Sequence, residues 1–182
     1  QLLVKLVTPL SYIILARLLS PEAVGVVSTV TMIVTFVEMI SDGGFQKYLV
    51  QREFSDEKIK LRHADVAFWA NLFISLLLWG IIAIFNEEIA ILVGNPGLGI
   101  VLIVASLQLP ITSFSSIQVA LFRRDFDFRT LFIARLRQVV VPFVVTIPLA
   151  FVGFGYWALI IGTLFSQLLN VLILNFKSKW KP

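Results

Sequence analysis

Six apolar runs separated by short polar segments occupy most of this chain, at about 1–19, 21–40, 64–85, 98–122, 130–152 and 156–174. At about 1.5 Å per helical residue each run reaches roughly 30 Å, the thickness of the hydrocarbon layer of a bilayer. A backbone in lipid must satisfy its own hydrogen bonds, so the runs are expected to be helices. Only 14% of the 182 residues are charged and 58% are hydrophobic, against about 25% charged in ordinary soluble domains. The expectation is an all-α integral membrane protein, a single six-helix transmembrane bundle covering residues 1–182. Gln1 opens inside an apolar run with no small-residue cleavage site, so the first run reads as a truncated span and not as a signal peptide. KSKWKP at the other end reads as a charged loop after a span, and the sequence is expected to be a fragment of a longer chain.

The second run is the most informative. Ser20, Pro21 and Glu22 form a helix start, with a hydroxyl cap, proline at the first position and an acid at the positive end of the dipole. Ser28, Thr31, Thr35, Glu38 and Asp42 then recur at spacings of 3, 4, 3 and 4, which places them along one helical stripe. A carboxylate in hydrocarbon costs several kcal/mol, so the stripe is expected to face the bundle interior, against other half-polar helices or a water-filled cavity. Ser and Thr also serve as glue between membrane helices. Gly43 and Gly44 end the run with a sharp turn.

The other spans repeat the theme more weakly. Lys5 and Arg17 lie near the two ends of the first run, where long cationic side chains can snorkel to the headgroups. Ser55, Asp56 and Glu57 are placed to cap a short surface helix before the third span, and Trp69 and Trp79 sit towards the two ends of that span as interface aromatics do. Asn86, Glu87 and Glu88 open an apolar segment too short to cross, read as an amphipathic surface helix. Pro110 should kink the fourth span, with Thr112 or Ser113 helping to satisfy the freed carbonyl, and Gln108, Thr112 and Ser115 share a face there. Arg135 and Arg137 enter the fifth span about 200° apart on the helical wheel, so at most one looks squarely into a cavity. Thr163, Gln167 and Asn170 recur at 4 and 3 on the sixth.

Loop charge sets the orientation. Lys47, Arg52, Lys58, Lys60 and Arg62 lie between spans 2 and 3, Arg123, Arg124 and Arg129 between spans 4 and 5, and Lys177, Lys179 and Lys181 after span 6. The alternate loops hold none unless Arg17 is counted, so the charged loops and both ends of the segment are expected in the cytoplasm. Glu38 and Asp42 then lie at about the depth of Arg135 and Arg137, within two turns of the inner surface, where acid and base could pair.

The absence of cysteine removes disulfides, thiolate metal sites and cysteine nucleophiles. The single histidine, His63, has no partner at catalytic or ligand spacing and reads as solvated or interfacial. The small excess of 15 basic over 11 acidic residues is distributed as a topology signal, not as a nucleic-acid footprint. No cofactor, metal site or catalytic residue is expected.

ILARLLSPEAVGVVS, SDGGFQKYLVQR, AFWANLFISLLL, LFRRDFDFR and GFGYWALIIG, taken in order, resemble successive blocks of the lipopolysaccharide and polysaccharide biosynthesis proteins that act as oligosaccharide-lipid flippases. These are members of the multidrug/oligosaccharidyl-lipid/polysaccharide exporter superfamily. The resemblance covers nearly the whole chain. It implies one lobe, the N-terminal one, of a two-lobed transporter in the bacterial cytoplasmic (inner) membrane, with a C-terminal lobe missing from this segment. It also implies a lipid-linked oligosaccharide, an undecaprenyl-pyrophosphate glycan, as substrate, membrane lipids as surroundings and a coupling ion as a further partner. Basic residues lining the cavity would hold the pyrophosphate or acidic sugars, which suits the planar donor fork of arginine.

The candidate substrate-binding residues are therefore Arg17, Glu38, Asp42, Arg135 and Arg137. One competing function is a drug or metabolite exporter of the same superfamily, which would use Glu38 and Asp42 as a cation site. Another is a membrane-embedded glycan polymerase or glycosyltransferase. It would need an acid/base or metal-binding cluster at the outer face, where Glu87 and Glu88 are better explained as a helix start. A noncatalytic scaffold would leave the polar stripes on spans 2, 4 and 6 without a role.

Overall fold

A computed structural model describes residues 20–178 and Trp180. These form eight helices and no strand: α1 (Pro21–Asp42), α2 (Phe45–Gln51), α3 (Glu57–Ile84), α4 (Asn86–Leu92), α5 (Gly99–Ser106), α6 (Gln108–Arg124), α7 (Phe128–Phe151) and α8 (Tyr156–Lys177). Taking α5 and α6 together as Gly99–Arg124, five helices are long and apolar enough to cross a membrane. The first expected run, 1–19, with Lys5 and Arg17, lies outside the described residues.

The Ser20 side chain accepts the Ala23 N–H at 3.2 Å, which caps α1 ahead of Pro21. Gly43 and Gly44 follow with φ of +49° and +82°, a left-handed pair that turns the chain directly into α2. α1 has three faces. Val30, Val34 and Ser41 are buried, Met32, Phe36 and Met39 are exposed, and the polar stripe lies between them.

The short surface helix expected after Asp56 is not separate. α3 begins at Glu57 and runs unbroken into the span, because helical hydrogen bonding need not stop where the apolar run starts at Ala64. Its first turns are anchored by Lys60, which is buried and paired with Glu57 at 2.7 Å and Asp125 at 3.5 Å.

Span 4 is broken at Leu107 rather than smoothly kinked at Pro110. Pro110 has no N–H to offer the Ser106 carbonyl, so the ladder is already disturbed one turn earlier. The Leu107 N–H turns to the Val104 carbonyl at 3.2 Å. The Ile103 carbonyl is taken instead by the Ser106 hydroxyl at 3.0 Å and the Trp79 indole N–H at 3.2 Å. Trp79 therefore braces the break and is half-buried, whereas Trp69 is exposed as expected of an interface aromatic. Thr112 and Ser113 do not serve the freed carbonyl. They donate to Leu109 at 3.1 Å and Pro110 at 2.7 Å, because a hydroxyl on a helix reaches the carbonyl three residues back, and Ser106 lies about 9 Å or more further along the axis.

The bundle packs in two apolar layers with a polar one between. Val30, Val34, Ile82, Leu102, Leu109 and Ile160 form one cluster, and Leu49, Ala64, Phe68, Ile117, Leu121 and Trp180 the other. Between them Ser41 meets Ser75 at 2.6 Å and Asn71 at 3.2 Å, and Asn71 donates to Ser116 at 2.8 Å, tying α1, α3 and α6 together through buried hydroxyls and an amide. Gly162 lets α8 pack close against α7: a Cβ there would run into the Thr146 hydroxyl oxygen and lie 2.9 Å from the Pro142 carbonyl oxygen.

The basic segments meet at one end. Arg124, at the end of α6, donates to the carbonyls of Leu49 at 2.8 Å and Val50 at 3.4 Å and to that of Arg52, and its guanidinium stacks 4.8 Å from the centre of the Phe54 ring. Trp180, beyond α8, donates its indole N–H to Asp65 at 2.7 Å and packs against Phe68. At the opposite end Glu87 accepts the Gly97 N–H at 2.6 Å, bracing the loop between α4 and α5. Ile91 and Leu92 of α4 are exposed and Ala90 is buried.

Candidate functional site

The polar faces of α1, α6, α7 and α8 converge on an open cavity of about 710 Å³. Its charged lining is Glu38 on α1, Arg123 at the end of α6 and Arg135 on α7. Hydroxyls of Thr112, Ser115 and Ser116 line it from α6, and amides come from Gln46, Gln138, Gln167 and Asn170. Phe128, Leu131 and Phe132 form an apolar edge on α7. Gln138 and Gln167 lie ten residues from the basic ends of α7 and α8, so the recess reaches about 15 Å into the bundle from that end.

Glu38 and Arg135 thus share one cavity. Glu38 accepts a hydrogen bond from Gln108 Nε2 at 3.2 Å. Asp42 is not on the lining and instead accepts from Gln46 Nε2 at 3.0 Å. Arg137 is exposed and away from the cavity, as its 200° separation from Arg135 on the wheel requires. Arg17 lies outside the described residues. The pairing of Arg135 or Arg137 with Glu38 or Asp42 does not form. Among the described residues the ion pairs are those of Lys60. Arg123 and Arg135 both line the cavity and have no hydrogen-bond or ion-pair partner among the described residues.

The upper part of the α1 stripe departs from expectation. Ser28, Thr31 and Thr35 are exposed, and the Ser28 hydroxyl returns to its own Val24 carbonyl at 2.8 Å. Only the Glu38 end is enclosed by α6, because the stripe runs along the open side of the bundle and not through its packed interior.

Arg123 is not among the candidates from sequence, because the apolar run of span 4 ends at about residue 122 and Arg123 counts as loop charge. The signal was present: Thr112, Ser115, Ser116, Val119 and Arg123 share one helical face, so continuing the period one residue further would have found it.

The fold and the cavity define a multi-pass helical membrane protein with a polar recess lined by the guanidinium groups of Arg123 and Arg135. The profile of a family described as polysaccharide biosynthesis protein matches residues 14–182, and the chain belongs to that family. It is similar to the succinoglycan biosynthesis transport protein ExoT of Rhizobium meliloti (strain 1021), 31% identical over 169 residues that make up 93% of this chain and 33% of ExoT. It is also similar to an uncharacterized membrane protein in the cps region of Klebsiella pneumoniae, 23% identical over 167 residues, 92% of this chain and 34% of that protein. The chain spans about a third of the length of these curated relatives. No solved structure matches it.

Proposed function

We propose that this chain is one lobe of a two-lobed exporter that moves a lipid-linked oligosaccharide, an undecaprenyl-pyrophosphate glycan, across the bacterial cytoplasmic membrane without covalent chemistry. The observation that carries the reading is the pair of guanidiniums, Arg123 and Arg135, without a partner among the described residues, on a cavity whose polar lining is otherwise amides, hydroxyls and the single carboxylate of Glu38. Keeping a cation within a membrane bundle is costly, and an arginine fork suits a phosphate through paired, charge-assisted hydrogen bonds. The naming of ExoT as a transport protein supports transport over a polymerase or glycosyltransferase. A cation exporter is less well supported, because Glu38 shares the cavity with two arginines. Glu38 remains the candidate for a coupling ion.

The test is replacement of Arg17, Arg123, Arg135 and Arg137 by Ala and by Lys in the full-length protein, with glycan export and protein abundance measured together. Arg123→Ala and Arg135→Ala should abolish export at normal abundance, and Lys should restore it only in part because it lacks the fork. Arg137→Ala should export normally. Unchanged export by Arg17→Ala, Arg123→Ala and Arg135→Ala alike would refute arginine-based recognition.

A further inference from the structure

Asn170 is only 5% exposed, yet it lies on the cavity wall and its side-chain amide forms no hydrogen bond with any described residue. Its amide atoms are not sealed in the core but open onto the recess, where they are placed to meet whatever enters it. One turn earlier on the same face of α8, Gln167 accepts from Gln138 Nε2 of α7 at 3.3 Å. That single bond between two amides uses one donor group and one acceptor. Whichever way the two are turned, the other amide nitrogen and the other carbonyl oxygen remain available on the cavity wall.

The chemistry of this part of the lining differs from that of the arginines. A guanidinium offers donors only, which suits an anion and does not distinguish one hydroxyl arrangement from another. Ser115 and Ser116 give their protons to the Thr112 and Ser113 carbonyls, both at 3.1 Å; Ser115 presents an acceptor, while the Ser116 oxygen already accepts from Asn71 at 2.8 Å. The three amides present donors and acceptors side by side with no charge. A sugar ring has the matching pattern, since each hydroxyl both donates and accepts.

We propose that Asn170, Gln138 and Gln167 form a subsite for the uncharged, hydroxyl-rich part of the cargo and determine which glycan the protein accepts, separately from the arginines that hold the anionic part. This rests on the transport reading above. A site built to hydrogen-bond a hydroxyl rejects analogues that leave its own polar groups unpaired, which makes such amides determinants of specificity as well as affinity.

The test uses the purified full-length protein and two probes: the lipid-linked oligosaccharide extracted from cells lacking this transporter, and sugar-free undecaprenyl pyrophosphate. Asn170→Leu and Gln167→Leu remove the donors and acceptors while keeping similar bulk. Each should weaken binding of the oligosaccharide-bearing carrier by roughly tenfold and leave the sugar-free carrier unchanged, whereas Arg123→Ala should weaken both. Gln167 is only half-buried, so Gln167→Leu provides the measurement even where Asn170→Leu fails to accumulate. Equal weakening of both probes by the Leu variants, or no weakening of either, overturns the subsite. Unmutated protein that binds neither probe overturns the transport reading itself, and the subsite with it.

Discussion

Glu38 on α1 accepts a hydrogen bond from Gln108 on α6 at 3.2 Å across 70 residues of chain. Gln108 is the first residue after the break in span 4, so this bond ties the start of α6 to α1 where the helical ladder is weakest. Gln108→Leu should therefore destabilise the protein by about 1–3 kcal/mol, the cost of leaving a part-buried polar group without its donor. Adding Glu38→Leu to Gln108→Leu should recover part of that loss, since both partners are then apolar. Denaturant unfolding of the single and double variants in detergent measures it, and strictly additive losses would show that the two side chains are not coupled.

Gly162→Ala should be costly although it adds one methyl group. The new carbon would collide with the Thr146 hydroxyl and the Pro142 carbonyl, forcing α7 and α8 apart, at about 1–3 kcal/mol. Thr146→Ala in the same chain should relieve the loss in part, because the hydroxyl is the nearer obstacle and the carbonyl remains. The comparison is read from thermal melts of the single and double variants.

Asp127 caps α7, accepting the Thr130 N–H at 3.1 Å. Hydrogen bonds from the Thr130 side chain and backbone hold its carboxyl below the ordinary value of 3.8. A folded-state pKa below the unfolded one contributes stability that is present above the unfolded value and lost as pH falls through the folded one. Amide exchange in the first turn of α7 should therefore accelerate as pH drops below about 4, after correction for intrinsic exchange. Asp127→Ala should exchange faster already at neutral pH and show little of that acid-dependent step.

Cysteine labelling tests the orientation. Lys58→Cys and Arg129→Cys should react only from the cytoplasmic side and Glu88→Cys only from outside, all three positions being exposed. Labelling of Glu88→Cys from the cytoplasm would invert the topology.

Much of the architecture was legible because lipid imposes a length and a polarity on every crossing segment. The apolar runs around Thr31, Phe73, Val144 and Leu164 all lie in helices, and the glycine pair after Asp42 is a left-handed turn. Glu38 and Arg135 were legible as costly charges inside spans, and both line the cavity. The misses have local causes. A helix start near Asp56 is legible, but its continuity with the span from Ala64 is not, because hydropathy marks where lipid begins and not where a helix ends. The break at Leu107 was missed because the disturbance falls on carbonyls one turn before Pro110, and the partner that takes one of them, Trp79, lies on another helix. Asn170 is visible as part of a polar face, but its place on the cavity wall depends on packing that no spacing reveals.

The interruption at Leu107 makes span 4 two rods joined end to end. A continuous helix is stiff over its length, so moving one end must swing the other. Here the rod bearing Ile103 is pinned to α3 through Trp79, while the rod that begins at Gln108 carries Thr112, Ser115, Ser116 and Arg123 into the cavity wall. The lever arm for any movement of that wall is thus about 22 Å, some three quarters of the hydrocarbon thickness, and its fulcrum lies beside the Glu38 carboxylate.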